Sequence, residues 1–138
     1  MKKQNLVMLV ALASSLVLAG QSFARPRVLE ADVPFAFEVG SKRLPAGHYQ
    51  IESVTTGAAT LEVIRQGNGD ARTTISTMAV EPGVANAQPQ LIFHRYSNTF
   101  FLYQIRDGAG KARQLFESKQ EKEAAVREAA SKVVLAAR

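Results

Sequence analysis

Groups able to do acid–base or nucleophilic chemistry are scarce in this chain, whose 138 residues include two histidines and no cysteine. No serine sits in a Gly-x-Ser-x-Gly elbow, so the histidines carry whatever proton chemistry the sequence holds. His94 lies in Phe93-His94-Arg95-Tyr96 and shares its strand face with Ile92 and Tyr96. It is a base or ligand if that face lines a cavity, and a cross-strand partner in a sheet otherwise. His48 follows Gly47 and points outward, as a solvated residue at the end of a turn. A metal site would need both histidines to converge with a carboxylate such as Glu38 or Glu52, and no short ligand spacing leads to that arrangement. The acidic residues stand singly on outward strand positions or in the C-terminal segment, without the facing carboxyl pair of a glycosidase. Gly67-Asn68-Gly69-Asp70 and Asp107-Gly108-Ala109-Gly110 lack the flanking ligands of phosphate or calcium loops and read as hairpin turns. No catalytic residue, metal ligand or cofactor is therefore assigned.

The strongest binding candidate is aromatic. Tyr96, Phe100, Phe101 and Tyr103 cluster with His94 in two neighbouring runs, and adjacent Phe100 and Phe101 must point to opposite faces of any strand they share. One of them needs a second cover: the C-terminal helix, the other wall of a small barrel, an apolar ligand or a partner protein.

These residues must be held by strands. Val33, Phe35, Phe37 and Val39 alternate with polar or small neighbours between Val28 and Gly40, which predicts a half-buried strand with Pro34 at an edge or on an unpaired side. Leu44-Pro45-Ala46-Gly47 reads as the reversal into a second strand, His48 to Val54, with Tyr49 and Ile51 inward. Leu61 to Arg65 and Thr73 to Met78 give a third and fourth, and Glu81 to Pro89 is the longest loop and the place for a flap. Gln90 to Tyr96 and Thr99 to Ile105, joined at Ser97-Asn98, form the expected core hairpin. Ser118-Lys119-Gln120-Glu121 is a capping box opening a Gly- and Pro-free segment to Arg138, read as one helix with Glu123–Arg127 and Glu128–Lys132 pairs. Its apolar stripe would be Val126, Ala130, Val133, Val134 and Ala137. The fold class is thus all-β, an antiparallel sandwich or partly open barrel of about six strands over residues 25–117, with a C-terminal α-helix over 118–138.

The first 24 residues point to export. Lys2 and Lys3 precede an apolar stretch from Leu6 to Leu18, and Ser22-Phe23-Ala24 forms a small-x-small cleavage site, so cleavage is expected between Ala24 and Arg25. That stretch falls short of the roughly 20 residues needed to cross a bilayer. Leu18-Ala19-Gly20-Gln21 has Gln21 where a lipid-bearing cysteine would stand, and Leu44-Pro45-Ala46-Gly47 lacks the Thr of a sortase signal, so no stable membrane anchor is expected. Without cysteines the domain must hold by packing alone. The formal net charge of +5 is spread over scattered basic residues, which argues against a nucleic-acid partner.

Val33-Pro34-Phe35-Ala36-Phe37-Glu38-Val39-Gly40, followed by Lys42, Leu44-Pro45-Ala46-Gly47 and Tyr49, resembles a pattern in a group of small exported bacterial proteins without an established function. Pro89-Gln90-Leu91-Ile92-Phe93-His94-Arg95-Tyr96 resembles the same group, and the likeness spans about residues 31 to 123. It implies a small exported domain and transfers no active residue or cofactor. The expected function is a non-enzymatic periplasmic or extracellular binding or envelope-associated module, its partner a small apolar ligand or an envelope protein. The alternatives are a small hydrolase using His94, or surface association with a membrane through the C-terminal helix, whose polar face also carries Glu117, Glu121, Glu123 and Glu128.

Overall fold

The computed structural model describes residues 27–54, 59–67, 71–81 and 88–138; the signal segment, the tip Asn68–Asp70 and the loop residues 82–87 lie outside them. Among the described residues ten strands and one helix form: β1 (Arg27–Val33), β2 (Phe37–Val39), β3 (Lys42–Leu44), β4 (Gly47–Ser53), β5 (Thr60–Arg65), β6 (Arg72–Val80), β7 (Gln90–Tyr96), β8 (Thr99–Arg106), β9 (Ala112–Leu115), α1 (Lys119–Arg127) and β10 (Ser131–Ala136).

The all-β class with a helix near the C-terminus holds, and local chemistry accounts for the additional strands. The run read as one strand from Val28 to Gly40 divides at Pro34, which has no N–H to give a ladder, into β1 and β2. The chain reverses at Gly40-Ser41 rather than at Pro45 to Gly47, so that β2 pairs with β3. Gly40 adopts φ +59°, which glycine enters without a Cβ penalty, whereas Gly47 begins β4. Residues 45 and 46 then carry the chain to β4, which pairs antiparallel with β1 in the register Val33↔Gly47 to Glu30↔Gln50.

From β4 the antiparallel ladder continues through β5 to β6. β6 serves two neighbours: Arg72 to Ser76 pair with β5, and Thr77 to Val80 pair with β9. This handover bends one sheet into two facing halves. β8 carries β7 along one edge, and shares the other between β9 at Gln104 to Arg106 and a single parallel bridge to β2 at Phe101. The Asp107–Gly110 segment is the hairpin turn expected, with Asp107 Oδ1 accepting from the N–H groups of Ala109 and Lys111. Gly108 is required there: it has φ +78°, and a Cβ would approach Pro89 Cδ to 2.8 Å. The sheet is not closed into a barrel, but Glu30 and Arg138 exchange two backbone hydrogen bonds of 2.8 and 3.0 Å between β1 and the end of the chain.

The core lies between the halves. Leu29, Val33, Tyr49, Ile51, Leu61 and Val63 from one side meet Phe37, Phe93, Leu102 and Ile105 from the other. Phe37 stands edge-on to both Tyr49 and Phe93, at 5.0 and 5.5 Å between ring centroids, and so ties β2, β4 and β7 together. Each such pair adds about 0.5–1.5 kcal/mol beyond the burial itself.

The C-terminal segment departs from the expected helix. α1 ends at Arg127, Glu128 is extended at φ −152° and ψ 158°, and residues 131–136 become β10, antiparallel to β7 with Val133 opposite Phe93. Val133, Leu135 and Ala137 pack on the core while Lys132, Val134 and Ala136 face out, a period of two that the alanine-rich composition masks. The unpaired edge of β7 overrides helix propensity by supplying backbone partners and an apolar face together. The expected stripe and the Glu128–Lys132 pair therefore do not form.

Phe93→Ala should destabilise the protein by about 3–5 kcal/mol, and Val126→Ala, at a site 88% exposed, by under about 0.5 kcal/mol. Truncation after Glu128 should be as damaging as Phe93→Ala, because it strips β10 from β7. Denaturant unfolding checks all three, and a truncation without effect would contradict the role of β10.

Candidate functional site

The β7–β8 hairpin buries both of its faces. On the inner face Phe93, Leu102 and Phe100 join the core; Phe100 stacks on Phe35 at 3.9 Å, and the Arg95 guanidinium lies 5.5 Å from the Phe100 ring. On the outer face stand His94, Tyr96, Phe101 and Tyr103. Tyr96 and Phe101 are buried, their rings 5.8 Å apart. His94 stacks nearly parallel on Tyr103 at 3.7 Å. Of the five residues proposed as a ligand or partner surface, the structure thus brings four together and sends Phe100 to the opposite side, where Phe35 covers it.

The cover of the outer face comes from α1, and the residue that provides it is acidic. Ser118 caps the helix by accepting the N–H of Glu121 at 3.2 Å. The other half of a capping box would turn the Glu121 carboxylate back to the cap. Instead Glu121 points into the sheet, 4% exposed, with Oε1 2.9 Å from His94 Nδ1. The Tyr96 hydroxyl donates a long 3.5 Å contact to the same oxygen. Burial raises the Glu121 carboxyl above its ordinary value; the His94 hydrogen bond and charge oppose that shift, and nearby Glu117 adds to it. Burial, with the charges of Glu121 and Glu117, likewise raises the Tyr96 phenol. Sequence reasoning placed Glu121 only in the capping box and on the solvated face; its position three residues after Ser118 held no sign of the inward turn.

In this cluster Glu121 takes up the Nδ1 side of His94 and the hydroxyl of Tyr96. A His–carboxylate pair becomes catalytic when the second imidazole nitrogen reaches a nucleophile or an attacking water. Among the described residues no hydroxyl is bonded to His94: Ser118 caps α1, and Ser97 donates to Glu128 at 2.8 Å. Tyr103 covers one face of the imidazole.

Beside the cluster a cleft of about 680 Å³ opens between α1, β2, β3 and the β7–β8 turn. Tyr96 and Phe101 form its floor, Glu123, Ala124 and Arg127 its helical wall, and Glu38 and Arg43 the opposite rim. Arg43 lies 3.4 Å from Glu38. Among the described residues the expected Glu123–Arg127 ion pair is not made, and both side chains line the cleft.

His48 belongs to a separate network on the other half of the sheet. Its Nδ1 is 2.6 Å from Asp32 and its Nε2 3.5 Å from Glu30, which also meets Arg138 at 3.1 Å. Glu38 and Glu52 approach neither histidine; Glu52 instead accepts from Gln50. Among the described residues no group of three or more His, Asp or Glu side chains is placed to hold a metal. No described helix is long and apolar enough to cross a membrane. No family model matches the chain, nor does any curated protein or solved structure.

The two histidine networks should differ sharply in worth. Glu121→Ala leaves the half-buried His94 and the buried Tyr96 without their acceptor and should cost about 1–3 kcal/mol. His48→Ala removes a partner from Asp32, whose side chain is 74% exposed, and should cost under about 1 kcal/mol. Equal losses in denaturant unfolding would contradict this ranking.

Proposed function

We propose that the protein is an exported, non-enzymatic binding module whose ligand occupies the cleft between α1 and the β7–β8 hairpin. The observation that carries this reading is the contrast between two neighbouring groups of side chains. The histidine at the site is spent on Glu121 under the helix, with one ring face covered by Tyr103, whereas Arg127 and Glu123 both line the wall of an adjoining cleft. Catalysis needs a reactive group exposed to substrate; binding needs a shaped recess with a few polar groups left to orient the occupant.

The lining also refines the class of ligand. A small amount of aromatic surface at Tyr96 and Phe101 is ringed by guanidinium and carboxylate groups. A wholly apolar molecule would desolvate those charges without replacing their hydrogen bonds, at a cost. The occupant that fits has an apolar portion and at least one charged or strongly polar end. Export follows from Lys2 and Lys3, the apolar stretch behind them and the Ala24-Arg25 junction.

Native mass spectrometry of the protein recovered from its host's envelope fraction tests both parts. The polypeptide mass should begin at Arg25 and carry a discrete adduct, and the adduct should be lost in Arg127→Glu and in the cleft-filling Thr99→Trp while the melting temperature is retained. A mass beginning at Met1 would remove the export reading, and an adduct that survives both substitutions would remove the cleft.

A further inference from the structure

α1 is fastened to the sheet by a proton-binding group, with one exposed hydrogen bond from Ser97 of the β7–β8 turn to its C-cap Glu128 besides. It is nine residues long, and a helix of that length is marginal in water without tertiary support. Its buried residue is Glu121; Ala124 is half-buried and Val126 is 88% exposed. No apolar stripe holds the helix down. The groups that face Glu121 are His94 and Tyr96 from β7, both within hydrogen-bonding reach, with Tyr103 of β8 stacked on the imidazole and Glu117 in the link before the helix. Only the imidazole among them can supply positive charge, and the charge of Glu117 acts on Glu121 with like sign.

We propose that the His94–Glu121 pair is a proton-held clasp: α1 lies on the sheet while the pair retains a proton, and lifts as rising pH removes it, opening the cleft. One proton gives either a neutral carboxyl against a neutral imidazole or a carboxylate against an imidazolium, and both forms tolerate burial. Loss of that proton leaves a carboxylate in a site that hides it from water and sets it beside Glu117. The direction of the Glu121 shift agrees. A carboxyl whose value is raised in the docked state contributes docking stability that is complete below the ordinary value of 4.5, and that is lost as pH rises through the docked value. The consequence for a ligand rests on the binding reading above, because α1 is one wall of that cleft; the clasp itself does not.

Hydrogen exchange on the full mature chain, corrected for the intrinsic pH dependence of exchange, tests the clasp without any ligand. Between pH 4.5 and 8 the protection of the α1 amides should fall, by about tenfold per pH unit where the loss is steepest, while the β7–β8 amides stay protected. Glu121→Gln, which keeps a hydrogen-bonding amide and has no proton to lose, should hold α1 equally at every pH. Wild-type α1 protection independent of pH would overturn the clasp, as would an equal fall in Glu121→Gln. If that variant does not fold, the wild-type profile decides alone. The two readings fail separately: a titrating α1 in a protein that carries no adduct leaves the clasp and removes the cleft, and an adduct lost in Arg127→Glu with a pH-independent α1 does the reverse.

Discussion

Successive side chains of an extended strand leave on opposite faces, and this constraint governs the architecture once Phe100 and Phe101 stand side by side in β8. Phe100 can reach the core with Phe35 and Phe93 only by sending Phe101 outward with His94, Tyr96 and Tyr103. A hairpin burdened in this way cannot lie against solvent. The inner face is closed by the opposite half of the sheet, through Phe37 and Tyr49, and the outer face by α1. β10 completes the arrangement by occupying the remaining edge of β7, so this hairpin is enclosed on two faces and both edges.

The two closures differ in chemistry, and that difference places the cleft. The inner one is apolar and aromatic, close-packed, and has no means of responding to solution conditions. The outer one is a short polar helix pinned through a carboxyl to an imidazole, and it covers the hairpin incompletely. The uncovered part is the recess floored by Tyr96 and Phe101 and edged by Glu38, Arg43, Glu123 and Arg127. A protein without disulfides thus keeps its stability in one layer and its adjustable surface in another.

Much of this was legible in the residue pattern. The alternation of Val33, Phe35, Phe37 and Val39, the inward Tyr49 and Ile51, and the β7–β8 hairpin turning at Ser97-Asn98 all follow from a period of two and from turn chemistry, which are local properties. The demand of Phe101 for a second cover was legible too, and among the covers weighed the helix provides it. What escaped the pattern is non-local. Residues 131–136 are as compatible with helix as with strand until the free edge of β7 is present, and the inward turn of Glu121 depends on a histidine 27 positions away. A capping box and a buried clasp place Glu at the same position, so spacing alone does not separate them.

The His94–Glu121 interaction, with its carboxylate buried, closes the outer face of the hairpin. A double-mutant cycle tests it most directly, with His94→Ala, Glu121→Ala and the double variant compared by denaturant unfolding at pH 6. A coupling of about 1–3 kcal/mol is expected, as for neighbours in one hydrogen-bonded pair. Additivity within about 0.3–0.5 kcal/mol, the behaviour of independent sites, would contradict it.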